Sequence, residues 1–300
     1  MREIELEDKE YPEKLRIIPD APKKLYVEGN IDNLNSMCIA VVGSRICTKY
    51  GEKWCEKFVK QLVNHNITIV SGMAIGIDSI AHKTAIKYGG RTIAVLPSGF
   101  NNIFPNENKY LYRNILNSNG TIITEYPPSI LADSKKFLER NRIVSGLAKG
   151  VLVIEAAYRS GTSVTARIAV SQNRDVFCIP GSLDNPKSIG TNNLIKEFAK
   201  IVTEPEDILL KYNLLNKKSN IEKVEKNKEE KDSNESLSNI SKEFIKIYKA
   251  IEKKPTDIYD IVRKSETSFK EVTLKLTILE IEGKIKKVSG NRYIKLKECE

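Results

Sequence analysis

Within KKFLERNRIVSG an aromatic ring, two guanidinium groups and an amide crowd together as Phe137, Arg140, Asn141 and Arg142. Guanidinium groups give paired hydrogen bonds to phosphate oxygens, and an aromatic face takes an unstacked base, so this mixture suits an unpaired nucleic-acid strand. Lys135 and Lys136 upstream and Lys149 downstream add positive charge. The competing reading packs Phe137 inward beside Leu138 and leaves the charges to solvent. Further segments offer the means to hold a phosphate. In Gly43-Ser44-Arg45 the glycine allows close backbone approach, the serine and main-chain N–H groups can bind one anion, and Arg45 supplies a bidentate donor. Ser160-Gly161-Thr162 opens GTSVTA, where hydroxyls gather at an expected helix start. Ser71-Gly72 begins SGMAIGID at the end of an apolar run.

Other chemistries fit less well. Gly72 and Gly76 are spaced G-x-x-x-G, not G-x-G-x-x-G, which argues against hydride transfer on a dinucleotide. Asp78 is expected to cap a helix, with His82 four residues on along the same face and within reach of it. No serine or cysteine is placed to make that pair a triad. Glu155 is an acceptor for a sugar, a base or a neighbouring arginine. Five cysteines (Cys38, Cys47, Cys55, Cys178, Cys299) form no C-x-x-C pair, and His65 and His82 are the two histidines, so neither zinc nor a disulfide framework is expected. No cofactor is expected either. A formal net charge of +10 favours a polyanionic partner. MREIELEDKE carries acids where a signal peptide needs basic and then apolar residues, and no apolar run approaches about 18 residues, so a cytoplasmic setting without a membrane partner is expected.

The elements that must position these residues follow from hydrophobic patterning. Residues 1–36 contain YPEKLRIIPDAPKKLYVEGN, whose prolines and Gly29 break any long helix, and they suggest an extended lead-in leaning on the main domain. From 37 to 212, short β-branched runs at 37–43, 67–71, 91–97, 120–124, 151–156, 174–180 and 200–203 alternate with helical patterns near 50–65, 77–88, 106–118, 162–172 and 191–199. That alternation predicts a doubly wound, mostly parallel α/β sheet, and runs apolar throughout predict helices on both faces. Residues 213–240 hold Lys, Glu, Asn and Ser with few apolar anchors, the composition of a charged linker. Over 241–297, three helical patterns followed by IKKVSGNRYIKL, with a turn at Ser289-Gly290-Asn291, predict a winged helix. Ser268 with Glu271 three residues later has the form of a capping box.

Taken in order, the YPEKLRIIPDAPKKLYVEGN lead-in, VVGSR, SGMAIGIDSIAH, GGRTIAVLPSGFNNIFPNEN, ITEYPP, FLERNRIVSG, VIEAAYRSGTSVTA, DVFCIPGS and GTNNLI resemble the DNA processing protein A family, also called Smf. The resemblance implies an extended Rossmann-like domain that binds single-stranded DNA without catalysis, forms a homodimer and helps load the recombinase RecA onto DNA taken up in natural transformation. It also implies that Arg45, Phe137, Arg140 and Arg142 contact DNA and that Ser71, Gly72, Ser160, Gly161 and Thr162 face phosphate. Where many relatives place a basic residue after Y-P, this chain has Phe104-Pro105-Asn106, so one basic contact is expected to be missing. An alternative is a nucleotide or nucleoside-monophosphate hydrolase of the lysine-decarboxylase-like kind, whose P-G-G-x-G-T-x-x-E loop aligns Gly161-Thr162 with its G-T. Thr165 then stands where the carboxylate belongs.

Overall fold

The central strands form where β-branched and apolar residues run unbroken, and the computed structural model joins them, with more polar strands toward the edges, into one nine-stranded sheet. The described residues are 1–215, 246–248, 250–251, 255–265, 267–281, 285–288 and 292–295. In the unit spanning Met1–Asn220, the strands are β1 (Arg2–Glu5), β2 (Lys24–Gly29), β3 (Cys38–Val42), β4 (Thr68–Ser71), β5 (Thr92–Val95), β6 (Thr121–Thr124), β7 (Gly150–Val153), β8 (Asp175–Cys178) and β9 (Lys200–Ile201). They lie in the order β1-β2-β6-β5-β4-β3-β7-β8-β9. From β6 to β9 every pairing is parallel. Helices α1 (Glu13–Arg16), α2 (Lys49–Asn64), α3 (Ile77–Lys87), α4 (Lys109–Asn117), α5 (Ser134–Leu147), α6 (Gly161–Ser171), α7 (Ile189–Glu197) and α8 (Glu206–Lys211) connect them.

Side chains along a strand alternate faces, and β3 shows the consequence. Ile39 and Val41 pack with Cys55, Phe58, Val59 and Leu62 of α2 on one face. Ala40 and Val42 pack with Val144, Leu147 and Ala166 of α5 and α6 on the other. Both faces are therefore covered, as expected of continuous apolar runs.

Residues 1–36 do more than lean on this sheet. β1 pairs antiparallel with β2, and β2 pairs antiparallel with β6. Ile4, Tyr11, Leu15, Leu25, Val27 and Leu34 are buried in the main core. The prolines that argue against a helix leave the chain free to pair at an edge, where an antiparallel partner is open to it.

The chain passes from β3 outward to β4, β5 and β6, then returns through α5 to set β7 on the other side of β3. That reversal opens a crevice at the carboxyl ends of β3 and β7, the usual ligand position in such sheets. Thr48, Asp133 and Ser160 cap the helices nearest it through their side-chain oxygens.

The second unit holds β10 (Thr256–Asp257), α9 (Ile258–Ser265), α10 (Phe269–Ile281), β11 (Ile285–Val288) and β12 (Arg292–Lys295), with strand order β10-β12-β11. Its own core includes Ile247, Ile251, Ile261, Val272, Leu276 and Tyr293. This is a winged-helix arrangement. Ser268 Oγ accepts the Glu271 N–H at 3.3 Å, the hydrogen bond a capping box requires. The linker expected over 213–240 begins later than its composition suggests, because Leu214 and Leu215 still pack in the core cluster that holds Ile208 and Leu209 of α8. Its residues 216–240, the turn at 289–291 and Cys299 lie outside the described residues.

Candidate nucleic-acid interface

At the crevice, the turn after β3, the turn after β4, the loop before α6 and one face of α5 enclose a cavity of about 360 Å³. It gathers Gly43, Ser44, Arg45, Gly72, Phe137, Arg140, Asn141, Ser160, Gly161 and Thr162 from segments more than a hundred residues apart. Two of the expected residues are not in its lining. Ser71 is buried and its hydroxyl donates to the Val41 carbonyl at 2.7 Å, a cross-strand tie. Arg142 pairs with Glu125 at 2.5 Å and with Asp20 at 3.1 Å. One helical residue step is about 100°, so Arg140 and Arg142 on α5 cannot share a face.

The two arginines that do reach the cavity differ in environment. Arg45 is exposed, and its guanidinium carbon lies 5.0 Å from the centroid of the Phe137 ring. Arg140 is only 4% exposed and donates through Nη1 to the carbonyls of Gly72 and Val95. Burial pulls its pKa down to about 10, while Asp78 acts to hold it up. It is thus a charged part of the wall, still protonated at neutral pH. A Cβ at residue 72 would sit 2.5 Å from Arg140 Cζ, which is why glycine stands there.

Asp78 sits in the first turn of α3, and its Oδ2 accepts the N–H groups of Gly72 at 3.1 Å and Ala74 at 3.4 Å. It clamps the turn after β4 and does not act as the N-cap. Burial raises its pKa against the opposing pull of Arg140 and those amides. His82 does not reach Asp78; its Nδ1 lies 2.6 Å from Thr92 Oγ1. Glu155 accepts from Thr48 N at 2.9 Å and Thr48 Oγ1 at 2.5 Å, tying the start of α2 to the strand end.

Hydroxyl donors near the cavity are largely spent. Ser44 Oγ donates to the Ile46 carbonyl at 2.9 Å, Thr162 Oγ1 to the Gly43 carbonyl at 3.1 Å and Thr165 Oγ1 to the Gly161 carbonyl at 3.2 Å. Ser160 Oγ accepts the Ser163 N–H. An anion needs donors, which leaves the Arg45 guanidinium, the Asn141 amide and the N–H groups of Gly161 and Thr162 at the start of α6, which have no intrahelical acceptor. Among the described residues no group of three or more His, Cys, Asp or Glu side chains could hold a metal ion.

The flanking charges do not all converge here. Lys136 pairs with Asp133 and Lys135 with Glu139 at 3.5 Å. Lys149 lies past the far end of α5, where its N–H donates to the Cys38 carbonyl at the amino end of β3, the end opposite the cavity. Leu138 is half exposed and Phe137 belongs to no core cluster among the described residues, so the inward-packed reading of that pair does not hold. Sequence reasoning did not single out Phe104 as a site residue. Its ring meets Phe137 edge to face with centroids 5.4 Å apart, a contact between residues 33 positions apart that no local pattern announces.

The family model described as "DNA recombination-mediator protein A" matches residues 2–213. Protein Smf of Escherichia coli (strain K12) is 47% identical over 199 residues, covering 66% of this chain and 53% of that protein, so the chain spans about half of that relative's length. The DNA processing protein DprA of Streptococcus pneumoniae is 43% identical over 202 residues, 67% of this chain and 71% of its own. The crystal structure of DNA processing protein A from Streptococcus pneumoniae superposes with a TM-score of 0.67 at 42% identity, covering 70% of this chain and 73% of that one. A structure addressing the single-stranded DNA binding mode of DNA processing protein A from Helicobacter pylori gives 0.64 at 30% identity, covering 70% and 95%. The strand order, the crevice and these matches over the same residues lead to one conclusion: the chain belongs to the DNA recombination-mediator protein A family.

Proposed function

We propose that this protein is a non-catalytic single-stranded DNA-binding protein that protects incoming DNA and loads RecA during natural transformation and recombination, acting in the cytoplasm as a homodimer. The observation that carries the reading is Arg45 lying on the Phe137 ring at a cavity walled by the buried Arg140 and the opening turn of α6. A guanidinium beside an aromatic row can neutralise phosphate and meet a base without reading its edges. The Helicobacter pylori relative, whose single-stranded DNA binding mode has been described, supports the same ligand. Asp78, the carboxylate in the cavity lining, is engaged by two main-chain amides, which argues against a free general base there. For the nucleotide-hydrolase alternative, Thr165 occupies the position of the required acid and its hydroxyl is bonded within α6.

Gel shifts with single- and double-stranded oligonucleotides across a salt series test this reading. The wild-type protein is expected to prefer the single strand, with affinity falling steeply as salt rises. Arg45→Ala should weaken binding to all sequences alike and reduce the log–log salt slope by about 0.7, one phosphate contact on a single strand. Arg142→Ala should lower the melting temperature yet leave the affinity of the folded protein near wild type, because its partners are Glu125 and Asp20. Salt-insensitive or strictly sequence-specific binding by the wild type would overturn the reading. Sedimentation of the full chain tests the homodimer, and RecA filament growth on coated DNA tests the loading step.

A further inference from the structure

Phe137 is the stacking ring singled out by sequence, yet its ring is already engaged. Arg45 covers it with the guanidinium carbon 5.0 Å from the centroid, and Phe104 packs against it with the planes at 76°. Phe137 is half-buried, whereas Phe104 keeps 45% of its surface exposed. A large apolar ring is therefore held in water beside a cationic cavity. Its loop is fixed on both sides. Ser98 Oγ donates to the Asn102 carbonyl at 2.7 Å and Asn102 Nδ2 to the Ser129 carbonyl at 2.8 Å. After Phe104, the buried Asn108 donates through Nδ2 to the Met73 carbonyl at 2.7 Å and to Ser79 Oγ at 2.9 Å. A pinned loop displaying an exposed aromatic has little ordering entropy left to lose on binding.

We propose that Phe104 is the base-stacking platform of this site: one base of the strand lies on the Phe104 ring, a phosphate meets Arg45, and Phe137 is the wedge that spaces the two. The inference rests on the reading of the cavity as a single-stranded DNA interface, and it shifts the stacking role from Phe137 to Phe104. Stacking carries no charge and tolerates every base, so the Phe104 contribution should be independent of salt and of sequence.

The test uses the full chain and a thymidine oligonucleotide, with an abasic oligonucleotide of equal length as the second probe. Phe104→Leu keeps an apolar side chain against Phe137 and removes the ring. It should weaken binding to the thymidine strand about 5- to 150-fold, the usual value of one base–aromatic stack. Its salt slope should match wild type, unlike that of Arg45→Ala. On the abasic strand Phe104→Leu and wild type should bind equally. Phe104→Trp adds an indole to the single Trp54, and its fluorescence should be quenched by the thymidine strand and not by the abasic one. Wild-type affinity in Phe104→Leu, equal losses on both strands, or an unquenched indole would overturn the inference while leaving the interface reading intact. If the wild-type protein binds neither strand, or Arg45→Ala has no effect, the interface reading itself fails and this inference falls with it.

Discussion

For a side chain beside the cavity, what matters is whether its donors are already spent. Arg45, Arg140 and Arg142 are equivalent in composition and have three different uses. Arg45 keeps its guanidinium open above an aromatic ring, Arg140 gives its hydrogen bonds to main-chain carbonyls, and Arg142 satisfies two carboxylates. His82 shows the same accounting in the core. Thr92 Oγ1 donates to the Ile69 carbonyl at 2.9 Å, so His82 Nδ1 must be the donor to Thr92, and the lone pair falls on Nε2, which is buried without a partner. Burial, with Arg140 adding to it, drives the imidazole pKa down from 6.5 to about 3. Between those two values the unfolded chain holds a proton that the folded chain does not, so stability should fall as pH is lowered through that window. His82→Asn keeps a donor toward Thr92 and cannot be protonated. Melting temperatures recorded from pH 7 to pH 4 should therefore fall more steeply for wild type than for His82→Asn; parallel curves would place the acid sensitivity elsewhere.

Among the elements, α5 has the most to position. Its first turn carries Phe137 and its second Arg140, so the N-terminal anchor of the helix sets where both point. Asp133 supplies that anchor by accepting the Lys136 N–H at 2.9 Å. Asp133→Ala should cost about 1 kcal/mol of stability, the ordinary value of such a cap. Fraying of that turn should also weaken single-stranded DNA binding, because the rings at its end lose their fixed place. Urea denaturation read alongside binding checks both effects; a loss of stability with unchanged affinity would show that Phe137 is held by Phe104 and Arg45 alone. The element pattern was largely legible in sequence, since β-branched runs and helix caps act over a few residues. The helix of α5 was less so, because its charged residues, spaced for solvent, salt bridges and the cavity at once, leave no simple amphipathic stripe.

At the scale of the molecule, each of the two units has its own apolar core. Residues 1–215 alone should unfold cooperatively and retain salt-dependent single-stranded DNA binding, as checked by thermal melts and gel shifts on that fragment. A fragment starting at Met37 should aggregate instead. It loses Ile4, Tyr11, Leu15, Leu25, Val27 and Leu34 from the core, and at about 1.5–3 kcal/mol for each buried side chain that loss is comparable with the whole stability of a domain, about 5–15 kcal/mol. A soluble, folded fragment from Met37 would show that the antiparallel edge is dispensable.

The sequence by itself determined the alternation of strands and helices, the turns at strand ends and the concentration of arginine and aromatic groups, because each depends on neighbours close along the chain. Tertiary structure alone decided that residues 1–36 complete the sheet, that Arg142 faces Glu125 and Asp20 while Arg45 stays open, and that Phe104 lies against Phe137. Those outcomes depend on sheet order and on which groups meet across the fold, and pairings between distant residues leave no mark in local spacing.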